Sequence, residues 1–320
     1  MNEISIYMDK FLHYCNVHRK LSPLSIRSYG FDLNIFLKYL EDQEPPITLC
    51  SSVTKHVLES YLDVVSQKYA VKTIKRKLAC IHSFFNYLEY DEIIKKNPFE
   101  KFQLHMKEGF RLPKTMVLRE VDLILKAAYN QNTRGPGEEF TRIRDAAILE
   151  LLFAGGLRVS ELCSLTFSDL DENNSTLHIH GKGNKERTIY LENLEVINAL
   201  NNYLDLRRSE DFDFPHLFTT KFHGPMSTQG VRNIVTKYTK IAGITKNITP
   251  HVFRHSFASL LLEEGVDIKF IQDFLGHSSI STTQIYLHTT SDKKREIMSK
   301  MHPRGKLSSA PESDTKKKDE

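Results

Sequence analysis

The stretch TPHVFRHSFASLLLEEG (Thr249–Gly265) carries both a helix pattern and a group of chemically active side chains. Its apolar residues recur at helical spacing, and Gly265 is a suitable helix C-cap. His251 and Arg254 are three residues apart near the start of this helix. Residues at that spacing project from neighbouring positions, so these two side chains can address one point. The stretch therefore predicts a helix that presents a histidine and an arginine together.

The N-terminal part of the chain, residues 1–105, has the three- and four-residue apolar spacing of several helices. Ser22-Pro23 is a typical helix start, with a capping hydroxyl followed by proline at the first helical position. No strand pattern is evident in this part. Residues 106–117 lose the periodicity and include Gly109 and Pro113, which indicates a linker.

The remainder, residues 118–305, is predicted to be a second domain of helices with one small antiparallel sheet. Its strand signal is STLHIHGKGNKERTIYL, in which Thr176–His180 and Thr188–Leu191 flank a Gly-Lys-Gly-Asn turn. Residues 129–140, with the sequence NQNTRGPGEEF from 130 onward, are expected to form an exposed loop, and residues 306–320 a disordered tail. The predicted fold class is mainly α: an N-terminal helical bundle plus a mixed α+β catalytic domain.

The composition is that of a globular protein, with 40% hydrophobic and 26% charged residues among 320. No apolar run approaches the ~20 residues that cross a bilayer, and the N-terminus is not that of a secreted protein. We therefore expect a cytoplasmic protein without a membrane partner. The four cysteines are widely spaced and are expected to be free thiols.

A basic run lies at the start of VKTIKRKLACIHSFFNYL (Val71–Leu88). Its cations are the candidate DNA-binding residues Lys72, Lys75, Arg76 and Lys77. The net charge of +4 permits nucleic-acid binding without establishing it, because the informative signal is a basic face. A solvated helix surface explains the run as well as a phosphate-binding one does.

Two alternative sites are disfavoured by spacing. His251 and His255 have the i, i+4 spacing of helical zinc ligands, but Val252 stands where zinc proteases of that type carry their glutamate. The Gly-Lys-Gly-Asn turn lacks the GxxxxGK[ST] pattern of a nucleotide-binding loop. Lys182 is better explained as a cation at the tip of a hairpin.

Two arginines, one lysine, two histidines and one tyrosine in these stretches form a set suited to binding and cleaving a phosphodiester. Arginine matches two phosphate oxygens with its planar fork, and tyrosine can attack phosphorus to form a covalent intermediate. Lysine and histidine can transfer the protons. No clustered set of acids for a two-metal nuclease is evident, so no metal or other cofactor is expected.

Five motifs in order give the chain a specific resemblance to the tyrosine recombinases of the phage integrase family, and to the Xer-like members most of all. They are GLRVSEL (Gly156–Leu162), GKGNKER (Gly181–Arg187), HVFRHSFASLL (His251–Leu261), LGHSSISTTQIYLH (Leu275–His288) and HPRG (His302–Gly305). The resemblance implies that the N-terminal helices form a SAM-like core-binding domain that clamps DNA. It extends from about Arg19 to Gly305.

The resemblance also implies three residues that contact the scissile phosphate. Arg158 and Arg254 would clamp it, and His277 would hydrogen-bond it in the transition state. Glu161 matches the acid next to the first arginine and would orient that arginine.

Three further residues would carry the covalent chemistry and the proton transfers. Tyr286 would be the nucleophile that forms a 3′-phosphotyrosyl bond. His251 would take the proton of Tyr286, and Lys182 would protonate the 5′ oxygen. Because the phosphotyrosyl bond retains the energy of the backbone, resealing would need no ATP.

The implied function is site-specific recombination, for integration or excision of a mobile element or for resolution of DNA dimers. The expected partners are double-stranded DNA core sites and a homo- or hetero-tetramer on two sites, in which the segment DKKREIMSKM (Asp292–Met301) docks into a neighbouring subunit. Two alternatives are a type IB topoisomerase-like enzyme, which shares the arginine, lysine and tyrosine chemistry, and a DNA-binding regulator that does not cleave.

Overall fold

The computed structural model describes residues 2–104, 106, 114–181, 185–209 and 214–276. The chain divides into two compact units, Met1–Arg111 and Leu112–Glu320. The division falls inside the segment that the sequence predicts to be a linker. Among the described residues, no helix is long and apolar enough to cross a membrane.

The first unit is a helical bundle. Its helices are α1 (Glu3–Val17), α2 (Pro23–Glu41), α3 (Lys55–Ser66) and α4 (Val71–Tyr90). The hydroxyl of Ser22 caps α2, with Pro23 in its first turn, as the sequence predicts. The apolar faces enclose a core rich in aromatic side chains, among them Phe11, Phe36 and Phe84. No strand occurs among the described residues of this unit.

The second unit combines seven described α-helices with a three-stranded sheet. Its helices are α5 (Leu118–Tyr129), α6 (Pro136–Ala154), α7 (Val159–Ser164), α8 (Leu194–Ser209), α9 (Thr228–Ile241), α10 (Pro250–Glu263) and α11 (Ile268–Leu275). The buried middle of α6 lies in the main core with residues of α5, α8, α9 and α10. The fold class predicted from the sequence, mainly helical with a small antiparallel sheet, is confirmed.

The sheet has the order β1 (Leu170–Asp171), β2 (Thr176–Gly181) and β3 (Lys185–Tyr190), all antiparallel. The predicted hairpin is present, and its pairing runs from Thr176↔Tyr190 to Gly181↔Lys185. Residues 182–184, which join β2 to β3, lie outside the described part. The short strand β1 was not predicted, because two residues carry no alternation that a sequence pattern can reveal.

The prediction of a loop at residues 129–140 is correct for residues 130–135 and wrong at both ends of that range. Tyr129 ends α5, and α6 begins at Pro136. Pro136 stands at the first helical position with Glu138 and Glu139 in the first turn, which is a helix-start signal. Glu138 accepts a hydrogen bond from the backbone N–H of Arg134 at 2.8 Å and so joins the short connection to the helix.

Candidate active site

Arg158 is placed by a tight turn between α6 and α7. Gly156 in this turn has a φ of +54°, and a Cβ there would lie 2.6 Å from a ring carbon of Phe257. Glycine is thus needed for both the backbone conformation and the close packing. The turn places Arg158 at the N-cap of α7, with its side chain about one-third exposed.

Arg254 lies on α10, whose N-terminus is capped by the Thr249 side chain. Its guanidinium is buried and donates from Nη1 to the carbonyl oxygen of Gly156 at 2.7 Å. It also donates from Nη2 to the carbonyl oxygen of Leu275 at 2.5 Å. Arg254 therefore joins the α6–α7 turn to the end of α11.

Glu161 is the buried acid that the arginines share. It accepts from Arg158 Nη1 at 2.5 Å and from the Arg158 backbone N–H at 2.9 Å. Arg187 forms a bidentate pair with the same carboxylate at 3.1 and 2.8 Å, and Arg254 Nη1 lies 3.9 Å from it.

The protonation of Glu161 follows from these contacts. Burial of the carboxyl by itself would raise its pKa. The hydrogen bonds and charge of Arg187, with the contacts from Arg158, outweigh burial and lower the pKa to about 2. Glu161 is thus a carboxylate throughout the physiological range. From the sequence, Glu161 was expected to orient Arg158 alone, whereas in the structure it also binds Arg187.

Arg187 is a member of the site that was not predicted from the sequence. It lies on β3 with 9% of its side chain exposed. A Cβ on Gly276, which has a φ of +61°, would lie 3.3 Å from the Arg187 side chain. Arg187 is the last residue of GKGNKER and pairs with Glu161, which lies 26 residues earlier on α7. No spacing pattern in the sequence reveals that pair, because it depends on how β3 packs against α7.

His251 lies on the surface of α10, and its pKa is lowered from the usual range. Desolvation of the ring by the surrounding chain is the largest cause, followed by the positive charges of Arg232, Arg254 and Arg158. The pKa of His255, which is half-buried, is lowered by desolvation first and then by His251 and Arg254. A lowered pKa favours the neutral imidazole, the form that can accept a proton.

The structure therefore brings together Arg158, His251 and Arg254, three of the six predicted catalytic residues. Lys182, His277 and Tyr286 lie outside the described residues. The chain leading to His277 is described as far as Gly276, whose carbonyl accepts from Arg158 Nη2 at 3.3 Å. Among the described residues, no group of three or more His, Cys, Asp or Glu side chains is arranged to hold a metal ion.

The predicted DNA-binding cations of α4 differ in their surroundings. Lys72 and Arg76 are exposed, and Lys75 is half-buried. Lys77 corrects the prediction, because only 1% of its side chain is exposed and its Nζ lies 2.9 Å from the buried Asp32. The basic run and the apolar face of α4 overlap in helical phase at this position, so Lys77 neutralises an internal acid and cannot track a phosphate. Lys72, Lys75 and Arg76 stay candidates for DNA contact.

Comparison with known proteins supports the resemblance seen in the sequence. The chain matches the Phage integrase family over residues 114–293 and the Phage integrase, N-terminal SAM-like domain over residues 8–91. A tyrosine recombinase of Agathobacter rectalis is 40% identical over 95% of this chain and 98% of its own length. Tyrosine recombinase XerD of Halalkalibacterium halodurans is 35% identical over 95% of this chain and 100% of its own length.

Solved structures share the fold. The XerH site-specific recombinase bound to a palindromic difH substrate, in a post-cleavage complex, has a TM-score of 0.74 at 22% identity, over 91% of this chain and 84% of that chain. The Tn1549 transposon integrase in complex with circular intermediate DNA has a TM-score of 0.71 at 24% identity, over 93% of this chain and 99% of that chain.

Proposed function

The chain belongs to the phage integrase family and is a tyrosine recombinase, and we propose that it joins specific DNA sites with Arg158 and Arg254 holding the scissile phosphate. The observation that carries this assignment is the convergence of both arginines on Glu161. Three guanidiniums surround one carboxylate within 4 Å, so the charge of this cluster is 3 − 1 = +2. A cluster with that excess suits a phosphodiester anion.

In the proposed cleavage step the Tyr286 phenol oxygen attacks phosphorus. The bond between phosphorus and the Tyr286 oxygen forms as the bond to the 5′ oxygen breaks, and the DNA keeps a 3′-phosphotyrosyl link. The phenol proton passes to His251, and Lys182 gives a proton to the departing 5′ oxygen. His277 hydrogen-bonds the phosphate. Attack by a new 5′-hydroxyl reverses the step and seals the strands without ATP.

The lowered pKa of His251 supports its part in this scheme. A tyrosine has a free pKa of about 10, so its proton needs an acceptor at neutral pH. A histidine kept neutral by desolvation and by neighbouring arginines can accept that proton.

The test uses a suicide substrate nicked beside the cleavage site, so that the covalent protein–DNA adduct accumulates. The wild-type protein should form an adduct that persists in chelator and is lost in Tyr286→Phe. Tyr190→Phe, which changes an exposed tyrosine of β3, is the matched control and should leave the adduct unchanged. An adduct that survives in Tyr286→Phe refutes the assignment of the nucleophile.

The adduct assay and an assay of plasmid relaxation together separate the alternatives. A non-cleaving regulator would bind the site and form no adduct. A type IB topoisomerase-like enzyme would relax supercoiled plasmid that carries no recombination site. We expect relaxation to be site-dependent and exchange to require two sites.

We also propose that four subunits assemble on two DNA sites by exchanging their C-terminal segments. A groove of about 720 Å³ on the second unit supports this proposal. Its apolar lining includes Leu125, Phe153 and Leu261, and also Leu118, which is 63% exposed. The groove is also lined by several acids: Asp122, Glu150, Glu195 and Glu264.

The segment Asp292–Met301 matches this groove in chemistry, because it combines four basic residues with Ile297, Met298 and Met301. Deletion from Ser291 onward should leave single-site DNA binding intact and reduce recombination. Leu118→Asp should act in the same way, whereas Ile241→Asp, which alters an exposed apolar residue outside the groove, should not. Full recombination by the truncated protein would refute the exchange.

A further inference from the structure

His180, near the end of β2, links two carboxylates that belong to different parts of the second unit. Its ring Nδ1 lies 3.1 Å from Oε1 of Glu186, and its ring Nε2 lies 3.2 Å from Oδ1 of Asp169. Both ring nitrogens can donate at once only in the imidazolium form. Glu186 is the direct cross-strand partner of His180 on β3, whereas Asp169 precedes β1. One imidazole therefore connects β3 to the start of β1 across β2.

Asp169 is the fixed end of this connection. Its side chain is 11% exposed, and Oδ2 accepts hydrogen bonds from the backbone N–H and the hydroxyl of Thr166 at 2.8 and 2.7 Å. The other two members are more exposed, with 63% of the His180 side chain and 65% of the Glu186 side chain accessible to solvent. The connection thus ties the exposed end of the hairpin to an anchored acid.

His178 provides an internal comparison. It lies on the same face of β2, two residues earlier, and its ring Nδ1 is 3.3 Å from the hydroxyl of Thr188. That contact joins neighbouring strands of one hairpin through a neutral side chain. This hydrogen bond does not involve Asp169, so a substitution of His178 changes the same strand and keeps the contact between His180 and Asp169.

The place of His180 in the hairpin gives the connection a consequence. The pairing of β2 with β3 ends at Gly181↔Lys185, one residue beyond His180. Two-stranded hairpins are marginal on their own and depend on contacts with the rest of the domain for a fixed orientation. Lys182 follows His180 by two residues in sequence, so the orientation of β2 at His180 sets where the chain enters the segment that carries this lysine.

We infer that His180, by joining Asp169 to Glu186, positions the end of the hairpin from which Lys182 protonates the departing 5′ oxygen. This inference rests on the proposed function. His180 is a positioning residue, because it acts on the reaction through another side chain.

The test compares a DNA substrate that has the natural 5′ oxygen at the cleaved bond with one that has sulfur in the same position. In both, the bond from phosphorus to the Tyr286 oxygen forms as the bond to the 5′ atom breaks. An oxygen leaving group needs a proton as it departs, whereas sulfur leaves as a thiolate, since a thiol ionises near pH 8.5. A variant that misplaces the proton donor is therefore slow on oxygen and normal on sulfur.

Lys182→Ala calibrates the comparison and should lose about 10²–10⁴-fold on oxygen, the range for a general acid. For His180→Ala we expect a loss of about tenfold on oxygen and less than about twofold on sulfur, because the donor is displaced and not removed. His178→Ala should leave both rates unchanged. His180→Arg, which can donate to both carboxylates, should restore most of the oxygen rate.

Glu186→Gln gives a second route to the same result, since it weakens the exposed end of the connection without touching β2. It should show the same selective loss on oxygen. Equal loss on oxygen and sulfur in both variants, or no loss in either, would overturn the inference. A wild-type protein that forms no Tyr286-dependent adduct on either substrate would instead overturn the proposed function.

Discussion

Arg187→Ala is expected to destabilise the second unit strongly, because it removes one partner of a buried pair. The Arg187 side chain is 9% exposed and that of Glu161 is 4% exposed, and two hydrogen bonds of 3.1 and 2.8 Å join them. Removal of one partner from a buried ion pair costs about 3–5 kcal/mol when the other charge is left without a partner. Arg158 still hydrogen-bonds Glu161 in Arg187→Ala, so this range is an upper bound.

The pKa of Glu161 gives a second route to this magnitude. The arginines lower it from 4.5 to about 2 against the effect of burial. At 1.36 kcal/mol for each tenfold change in proton affinity, that corresponds to about 3 kcal/mol in favour of the charged folded form. Arg187 is the first of the partners that lower this pKa, so most of this free energy is at risk in Arg187→Ala.

The free energy of unfolding is measured in urea by hydrogen–deuterium exchange. The exchange of amides in α7 and α10 reports on this site separately from the N-terminal bundle. The matched control is Arg208→Ala, which removes an ion pair with Glu172 whose two side chains are about half exposed. That substitution should cost less than about 1 kcal/mol.

The destabilisation should also depend on pH. Since the folded-state pKa of Glu161 is depressed, its contribution is fully present above the unfolded-state value and declines as pH falls toward about 2. The difference between wild type and Arg187→Ala should therefore narrow in acid. In a double-mutant cycle with Glu161→Gln, the coupling should exceed about 1 kcal/mol. Equal effects of Arg187→Ala and Arg208→Ala, or additive effects in the cycle, would refute the reasoning.

Three further predictions concern the same site. Because the pKa of His251 is lowered, cleavage should persist below about pH 6.5, the usual pKa of histidine. Arg232→Gln should raise the pH at which cleavage is lost in acid, because the charge of Arg232 lowers the pKa of His251. An unchanged profile of adduct rate against pH in this variant would contradict the prediction. Gly156→Ala should cost about 1–3 kcal/mol in urea unfolding, since φ is positive and a ring carbon of α10 occupies the Cβ position, whereas Gly137→Ala, with open space around it, should be neutral or stabilising. Arg254→Lys should lower the adduct rate about a hundredfold or more, because lysine lacks the planar fork that spans two backbone carbonyls; a rate within a few-fold of wild type would refute this role.

The fold was predictable where periodicity was long. The Ser22-Pro23 cap, the amphipathic helices and the hairpin between Thr176 and Tyr190 all carry their signals within a single element. The start of α6 was not predicted, because the Gly and Pro residues of NQNTRGPGEEF are typical of turns. The same Pro136, followed by two acids, starts a helix.

The site was predictable to the extent that its residues lie in motifs. Arg158, His251 and Arg254 were found from their sequence surroundings, and the structure brings them together. Arg187 was missed and Lys77 was wrongly predicted to face DNA, both for one physical reason. Whether a cation faces solvent or a buried acid depends on a partner distant in sequence, Glu161 for Arg187 and Asp32 for Lys77.

The two arginines proposed to bind the phosphate also hold the end of α11, from which the chain continues toward Tyr286. Arg254 binds the carbonyl of Leu275, and Arg158 binds the carbonyl of Gly276, the residue directly before His277. The proposed contacts to the phosphate and the start of the segment that carries Tyr286 therefore depend on the same two guanidiniums. A phosphate that draws either guanidinium toward itself competes with these carbonyls for the same N–H donors. If these N–H donors also bind the phosphate as proposed, phosphate binding and the hydrogen bonds at the end of α11 depend on the same side chains. The effect of removing Arg254 should therefore exceed the cost of one phosphate contact.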